Sequence, residues 1–143
     1  VAAFVEDAVA KGAKVLLGGT TPNGPGFFYP PTVMVDVPET AACVNDEIFG
    51  PVAAIQTFTD QDDVITRANN TEYGLVAYVF TQNLARGLKV CEALDYGMTG
   101  LNRGLVSDPA APFGGTKQSG LGREGGHEGI KEFTETQYIA VQW

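Results

Sequence analysis

The sequence lacks any cluster of lysine and arginine. Nine basic residues stand against seventeen acidic ones, so the net charge is −8 at neutral pH. A nucleic-acid backbone is bound through a basic surface, and none is present here. We therefore expect no nucleic-acid partner, and we interpret the acidity as favouring solubility.

Long apolar runs and paired cysteines are also missing. No stretch approaches the roughly 20 apolar residues of a membrane helix, so no membrane association is expected. Cys43 and Cys91 lie far apart, without Cys-x-x-Cys spacing or nearby clustered histidine. This pattern predicts free thiols, no metal site and a reducing, cytoplasmic location. The first residues lack the features of a signal peptide. The chain begins with Val1 and not with Met, which suggests either an engineered piece or a piece cut from a longer protein.

The remaining pattern is an alternation of helices and strands. A chain of 143 residues can form one domain with a core. Apolar spacing predicts helices at 2–11, 59–70 and 84–94, and strands at 14–17, 32–37, 52–58, 75–81 and 98–102. This order indicates an α/β fold, with βαβ units on a mainly parallel sheet and flanking helices.

The last third of the chain has a different character. Residues 103–126 are rich in glycine and predict a loop, followed by a short helix at 127–133. Residues 134–143 alternate as a final strand that has no local partner. We therefore divide the chain into a segment at 1–133 and a terminal strand at 134–143, which we expect to pair either elsewhere in the parent protein or across a subunit edge of a homo-oligomer.

Several motif-like features lack the surrounding sequence that their usual function requires. Residues 120–125 match GxGxxG, but a polar loop precedes them and the chain ends before the acidic residue of a dinucleotide fingerprint. Glycines that adopt unusual backbone angles explain the match better. Lys117 lacks the preceding glycine of a P-loop, and His127 has no nucleophilic neighbour in the sequence. The aspartates after Thr59 are interpreted as a helix start rather than a calcium loop.

Four strings in series carry a family resemblance. They are NDEIFGPV (45–52), ANNTEYGL (68–75), ALDYGMTGLNRG (93–104) and PFGGTKQSGLGREGG (112–126). Together they resemble the C-terminal part of the catalytic domain of the aldehyde dehydrogenase superfamily, in the order in which that family has them. The segment NRGLVS with APFGG is most similar to succinate-semialdehyde dehydrogenases.

The resemblance implies a cofactor role for two residues of the first string. Glu47 matches the glutamate that binds the nicotinamide-ribose hydroxyls, and its carboxylate can accept both hydroxyl protons. Phe49 matches the phenylalanine that packs beside the nicotinamide. The alternatives are a solvated surface acid and an ordinary core aromatic. The implied cofactor is NAD or NADP in the parent enzyme, with no tight binding to this chain alone.

The resemblance implies substrate contacts from the last third. Phe113 matches the aromatic residue of the aldehyde tunnel, and Ser107 matches the serine that binds the distal carboxylate of a semialdehyde. We hypothesise that Arg103 adds positive potential beside Ser107, with an ordinary surface arginine as the alternative. Asn102 is expected to support the loop rather than the reaction.

The family reaction also implies a nucleophilic cysteine and a general-base glutamate. Neither Cys43 nor Cys91 lies in the family's nucleophile motif, so we assign no catalytic residue to this chain and expect it to be inactive alone. The implied parent function is the oxidation of succinic semialdehyde to succinate. The alternative is a non-catalytic binding or oligomerisation module of the same ancestry.

Overall fold

The computed structural model describes residues 1–143, which divide into two units at residues 1–60 and 61–143. The predicted boundary at residue 133 concerns the role of the terminal segment rather than packing, and it stays a prediction. No helix is long and apolar enough to cross a membrane.

The first unit is a three-stranded sheet covered by a helix. Its elements are α1 (Ala2–Ala10), β1 (Lys14–Leu17), β2 (Thr32–Val35), α2 (Ala42–Asn45) and β3 (Val52–Ala54). The central strand β2 is antiparallel to β1 and parallel to β3. Apolar residues on one face of α1 meet this sheet, and Val5 and Met34 are completely or almost completely buried there.

A carboxylate joins the two helices of this unit. Asp7 of α1 accepts a hydrogen bond from the backbone N–H of Ala42 at 2.7 Å and pairs with Lys11 at 2.7 Å. The hydrogen bond from Ala42, followed by the contact with Lys11, lowers the pKa of Asp7 below its usual range. Asp7 therefore acts from a distant part of the chain as a cap for the first turn of α2.

The second unit contains one βαβ element and one short antiparallel pair. Its elements are α3 (Gln61–Asn69), β4 (Tyr73–Gly74), β5 (Val76–Val79), α4 (Leu84–Ala93), β6 (Met98–Leu101), β7 (Thr116–Lys117) and a 3₁₀ helix at Gly129–Phe133. Strand β5 crosses through α4 to the parallel strand β6, while β4 and β7 pair antiparallel. Asn83 begins α4 by accepting a hydrogen bond from the N–H of Arg86.

The α/β prediction is confirmed. The helices predicted at 2–11, 59–70 and 84–94 and the five strands predicted before residue 103 are present, with shorter bounds except for β1, and the helix predicted at 127–133 is the 3₁₀ helix at Gly129–Phe133. The prediction of a mainly parallel sheet needs correction. Three short sheets are present, and two strand pairings are parallel and two antiparallel. Strand β1 pairs antiparallel with β2 because a loop without a crossover helix joins them, whereas β7 returns beside β4 after the whole βαβ element. The short elements α2, β4 and β7 were not predicted.

The C-terminal residues 134–143 form no strand and pair with no strand of this chain. Their apolar side chains are strongly exposed, namely Tyr138, Ile139, Val141 and Trp143. The predicted pairing across a subunit edge stays a prediction.

Loss of the Met34 side chain should destabilise the first unit. Met34 is completely buried, so Met34→Ala leaves a cavity and should cost about 2–5 kcal/mol in the free energy of unfolding. Leu16→Ala is the control, because Leu16 is 66% exposed and its loss should cost under about 1 kcal/mol. Urea unfolding of the 143-residue chain measures both. Equal costs for the two variants would contradict this account of the core.

Candidate functional site

The EIFGP string forms an exposed turn in the first unit. It lies between the end of α2 at Asn45 and the start of β3 at Val52. Pro51 anchors the turn to the sheet, because its carbonyl accepts a hydrogen bond from the N–H of Thr32 at 2.8 Å. Glu47 is exposed and makes no hydrogen bond or ion pair within the chain. Its carboxylate oxygens are therefore free to accept hydrogen bonds from a ligand.

Phe49 is held in an unusual conformation on the same turn. Its φ angle is 46°, in the left-handed region, and its side chain is 84% exposed. A left-handed conformation costs a residue other than glycine roughly 1–2 kcal/mol. The turn thus presents an aromatic ring to solvent despite a backbone penalty, which fits a surface that packs against a flat ligand. The alternative of an ordinary core aromatic is wrong for this chain, since the ring is not in the core.

The glycine-rich segment 112–126 is closed at its base by a pair of short hydrogen bonds. Phe113 and Glu124 exchange both backbone N–H···O bonds at 2.7 Å. Within the closed loop, Gly120 and Gly122 have φ angles of 101° and 84°. The GxGxxG match therefore reflects glycines in left-handed conformations, as the sequence predicted, and the segment opens no helix that could hold a dinucleotide.

Ser107 and Phe113 line the same cleft, which has a volume of about 340 Å³. Its other lining residues are Asp108, Pro109, Glu124 and Gly125. The Ser107 hydroxyl is exposed and makes no hydrogen bond within the chain, so it can donate one to a ligand. Five residues lie between Ser107 and Phe113 in the sequence, and the folded loop brings the two to one surface.

The electrostatics of this cleft are acidic. Two carboxylates, Asp108 and Glu124, belong to its lining, and no basic residue does. Arg103, which we expected to supply positive potential, is exposed and does not line the cleft. Its Nε donates instead to the carbonyl of Leu105 at 2.6 Å. An anionic ligand of this cleft would find no cation among its lining residues, although Arg123 lines the adjoining cleft that shares Phe113 and Glu124.

Neither cysteine belongs to the turn at 47–51 or to the lining of the cleft. Cys43 is buried in α2, and burial raises the pKa of its thiol. A raised pKa disfavours the thiolate, which is the nucleophilic form. Cys91 is half-buried within α4. No group of three or more His, Cys, Asp or Glu side chains that could hold a metal ion is present.

Lys117 is a structural residue whose partners the sequence did not reveal. Its Nζ donates to the carbonyls of Asn69 at 3.0 Å and Thr71 at 3.3 Å. It also pairs with Asp95 at 3.1 Å and lies 5.8 Å from the centre of the Tyr96 ring. The positive charge of Lys117 lies at the C-terminal end of α3, where it interacts favourably with the negative end of the helix dipole. In the sequence Lys117 is one of two cations in the glycine-rich segment 112–126, and that pattern does not identify its partners.

Comparison with known proteins gives a consistent result. A sequence model described as the aldehyde dehydrogenase family matches residues 1–139. A succinate-semialdehyde dehydrogenase of Paenarthrobacter nicotinovorans is 55% identical over 139 residues, which are 97% of this chain and 31% of that protein. A glutarate-semialdehyde dehydrogenase of Pseudomonas putida is 50% identical over 96% of this chain and 28% of that protein.

The fold is shared as well. The crystal structure of an NADP-dependent enzyme of Escherichia coli superposes with a TM-score of 0.91 at 46% identity, over 96% of this chain and 29% of that one. The chain thus spans about 30% of the length of the relatives that it matches.

Removal of the Lys117 charge should loosen the glycine-rich loop. Lys117→Met keeps the length of the side chain but leaves two carbonyls and Asp95 without their partner. We expect a loss of about 2 kcal/mol in the free energy of unfolding of the 143-residue chain. The control is Lys89→Met, because Lys89 is exposed on α4 and makes no ion pair. If both variants unfold at the same urea concentration, the Lys117 contacts do not stabilise the loop.

Proposed function

This chain belongs to the aldehyde dehydrogenase family, and we propose that it is the C-terminal portion of the catalytic domain of an NAD(P)-dependent succinate-semialdehyde dehydrogenase. The observation that carries the proposal is the cleft shared by Ser107 and Phe113. The names of the relatives support it, because two of them act on semialdehydes that carry a distal carboxylate.

The cofactor surface in this proposal is the exposed turn of the first unit. The exposed carboxylate of Glu47 would accept the ribose hydroxyls in charge-assisted hydrogen bonds. The exposed ring of Phe49 would pack against the nicotinamide and limit its orientation. These residues fit the group, since one offers acceptors for hydroxyls and the other a flat apolar face. When bound, NAD(P)⁺ supplies the hydride acceptor. The name of one similar structure supports NADP for that relative.

The substrate surface is the cleft of the second unit. Ser107 would donate a hydrogen bond to the distal carboxylate, and Phe113 would form the apolar wall along the carbon chain. The acidic lining means that Ser107 orients the carboxylate but does not neutralise it. Charge neutralisation then falls to cations of the parent protein, and Arg103 would contribute only from outside the cleft.

The chemistry of the aldehyde carbon would also depend on the rest of the parent. The buried thiol of Cys43 is poorly suited to nucleophilic attack because its pKa is raised. Cys91 lies in the last turn of α4 and is not among the residues that line the cleft. We therefore propose that the isolated chain has no dehydrogenase activity and binds NAD(P) weakly.

One observation favours a second role in assembly. The C-terminal segment 134–143 has no strand partner in this chain, and its apolar side chains are exposed. We propose that it contributes a strand to a homo-oligomer of the parent. A non-catalytic assembly module would use the same segment, but it would not require the cleft around Ser107.

Replacement of Ser107 tests the substrate assignment. In the full-length protein that carries this chain, Ser107→Ala should raise KM for succinic semialdehyde about tenfold, because a hydrogen bond to a charged group is lost. KM for butanal, which has four carbons as well but a methyl group in place of the carboxylate, should stay within about twofold. Reduced-cofactor absorbance measures both.

The sequence offers a matched control, because it contains two serines. Ser119 accepts a hydrogen bond from the N–H of Gly74 at 3.0 Å and does not line this cleft. Ser119→Ala should lower the free energy of unfolding, but it should not change the ratio of the KM values for succinic semialdehyde and butanal. A full-length protein that oxidises neither aldehyde, or a Ser107→Ala variant with unchanged kinetics, would overturn the assignment.

Asp108 provides an electrostatic test of the same cleft. Its Oδ1 accepts a hydrogen bond from the N–H of Ala110 at 2.9 Å, and an asparagine can keep that bond. Asp108→Asn removes one negative charge from the lining, so KM for succinic semialdehyde should fall about two- to fivefold at low ionic strength. The gain should shrink in added salt. Unchanged kinetics for this variant would show that the carboxylate binds elsewhere.

A further inference from the structure

Asn102 follows β6 directly and turns the chain away from the sheet. Its φ angle is 53°, in the left-handed region that asparagine tolerates better than most residues. Its backbone N–H donates to the carbonyl of Val79 at 2.8 Å, which completes the parallel pairing of β5 and β6.

Beyond this bond the backbone of Asn102 turns away, and its side-chain amide makes the next two hydrogen bonds to the β5 side of the pair. Its Oδ1 accepts from the N–H of Thr81 at 2.8 Å, and its Nδ2 donates to the carbonyl of Thr81 at 2.8 Å. One acceptor and one donor thus bind both backbone groups of a single residue, as a peptide unit would in a sheet. Aspartate lacks the donor, and alanine and glycine lack both groups.

The loop that begins at Asn102 carries Ser107 and has few other attachments. The remaining hydrogen bonds of residues 103–108 are local, such as those from Arg103 to Leu105 and from Ala110 and Ala111 to Asp108. The next bond to another part of the unit is at Pro109, whose carbonyl accepts from the N–H of Gly126 at 3.0 Å. Asn102 and Pro109 are therefore the two points at which hydrogen bonds attach the Ser107 segment to the rest of the unit, and between them Val106 lies against Gly100 of β6.

We propose that Asn102 is a positioning residue for Ser107. It fixes the point and direction at which the loop leaves the carboxyl end of the parallel strands, and so it sets where the Ser107 hydroxyl stands in the cleft. This inference rests on the substrate role proposed for Ser107. Both polar atoms of the Asn102 amide are engaged by Thr81, so Asn102 acts through the loop rather than by contact with substrate.

The test is the effect of Asn102→Asp on substrate preference in the full-length protein. The variant has the same shape, but it loses the donor and places a carboxylate oxygen against the carbonyl of Thr81. The ratio of KM for succinic semialdehyde to KM for butanal should rise about fivefold or more. The value of kcat with butanal should stay within about twofold, which separates misplacement of Ser107 from a general loss of folded enzyme.

Two further variants make the test decisive. Asn102→Gly keeps the left-handed backbone and removes both side-chain bonds, so it should change the ratio in the same direction, and it replaces Asn102→Asp if that variant does not fold. Asn83→Asp is the matched control, because Asn83 uses only its acceptor to begin α4 and an aspartate keeps that bond. It should leave the ratio unchanged.

The outcomes separate this proposal from the proposed function. If Ser107→Ala raises the KM ratio and the Asn102 variants do not, Asn102 has no positioning role. If the Asn102 variants lower thermal stability while both aldehydes are affected equally, its role is structural only and the proposal is wrong. If Ser107→Ala also leaves the ratio unchanged, the proposed function itself fails and the role of Asn102 fails with it.

Discussion

The second unit depends on a contact between two glycine backbones. A Cβ atom on Gly97 would overlap the carbonyl oxygen of Gly114, so only glycine allows the two segments to lie this close. The N–H of Gly97 in turn donates to the carbonyl of Gly74 at 2.9 Å. Three of the four resembling strings therefore meet at this point. The approach brings the glycine-rich loop against β4 and allows Lys117 to reach the end of α3.

This contact also determines which residues line the cleft. The bonds between Phe113 and Glu124 close the loop, and the Phe113 side chain then stands in the cleft with Ser107. The same closure brings Glu124 into the lining beside Asp108. The cleft is therefore shaped for an apolar chain with a polar end, while its own charge opposes an anion. In the proposed function, a carboxylate ligand would be oriented here by a neutral hydroxyl, and its charge would be balanced by a cation outside the cleft.

Periodicity in the sequence was sufficient to find the longer elements, because α1, α3 and α4 each show an apolar face. It missed α2, with four residues, and β4 and β7, with two each, since so short a segment has no measurable period. The shared cleft of Ser107 and Phe113 was suggested by family resemblance, and spacing alone did not indicate it. The sequence also did not indicate that Arg103 lies outside the cleft, for a related reason. Its partner is a main-chain carbonyl, and such carbonyls leave no mark in a sequence.

The attachments of the glycine-rich loop have a consequence for the order of folding. Lys117 binds carbonyls 48 and 46 residues earlier in the chain, and Ser119 binds the N–H of Gly74, 45 residues earlier. Contacts over such separations form late, because the intervening chain must first lose its freedom. The βαβ element of β5, α4 and β6 can form before them from nearer contacts. We therefore expect the aromatic wall of the cleft to be completed only after the scaffold beneath it has folded.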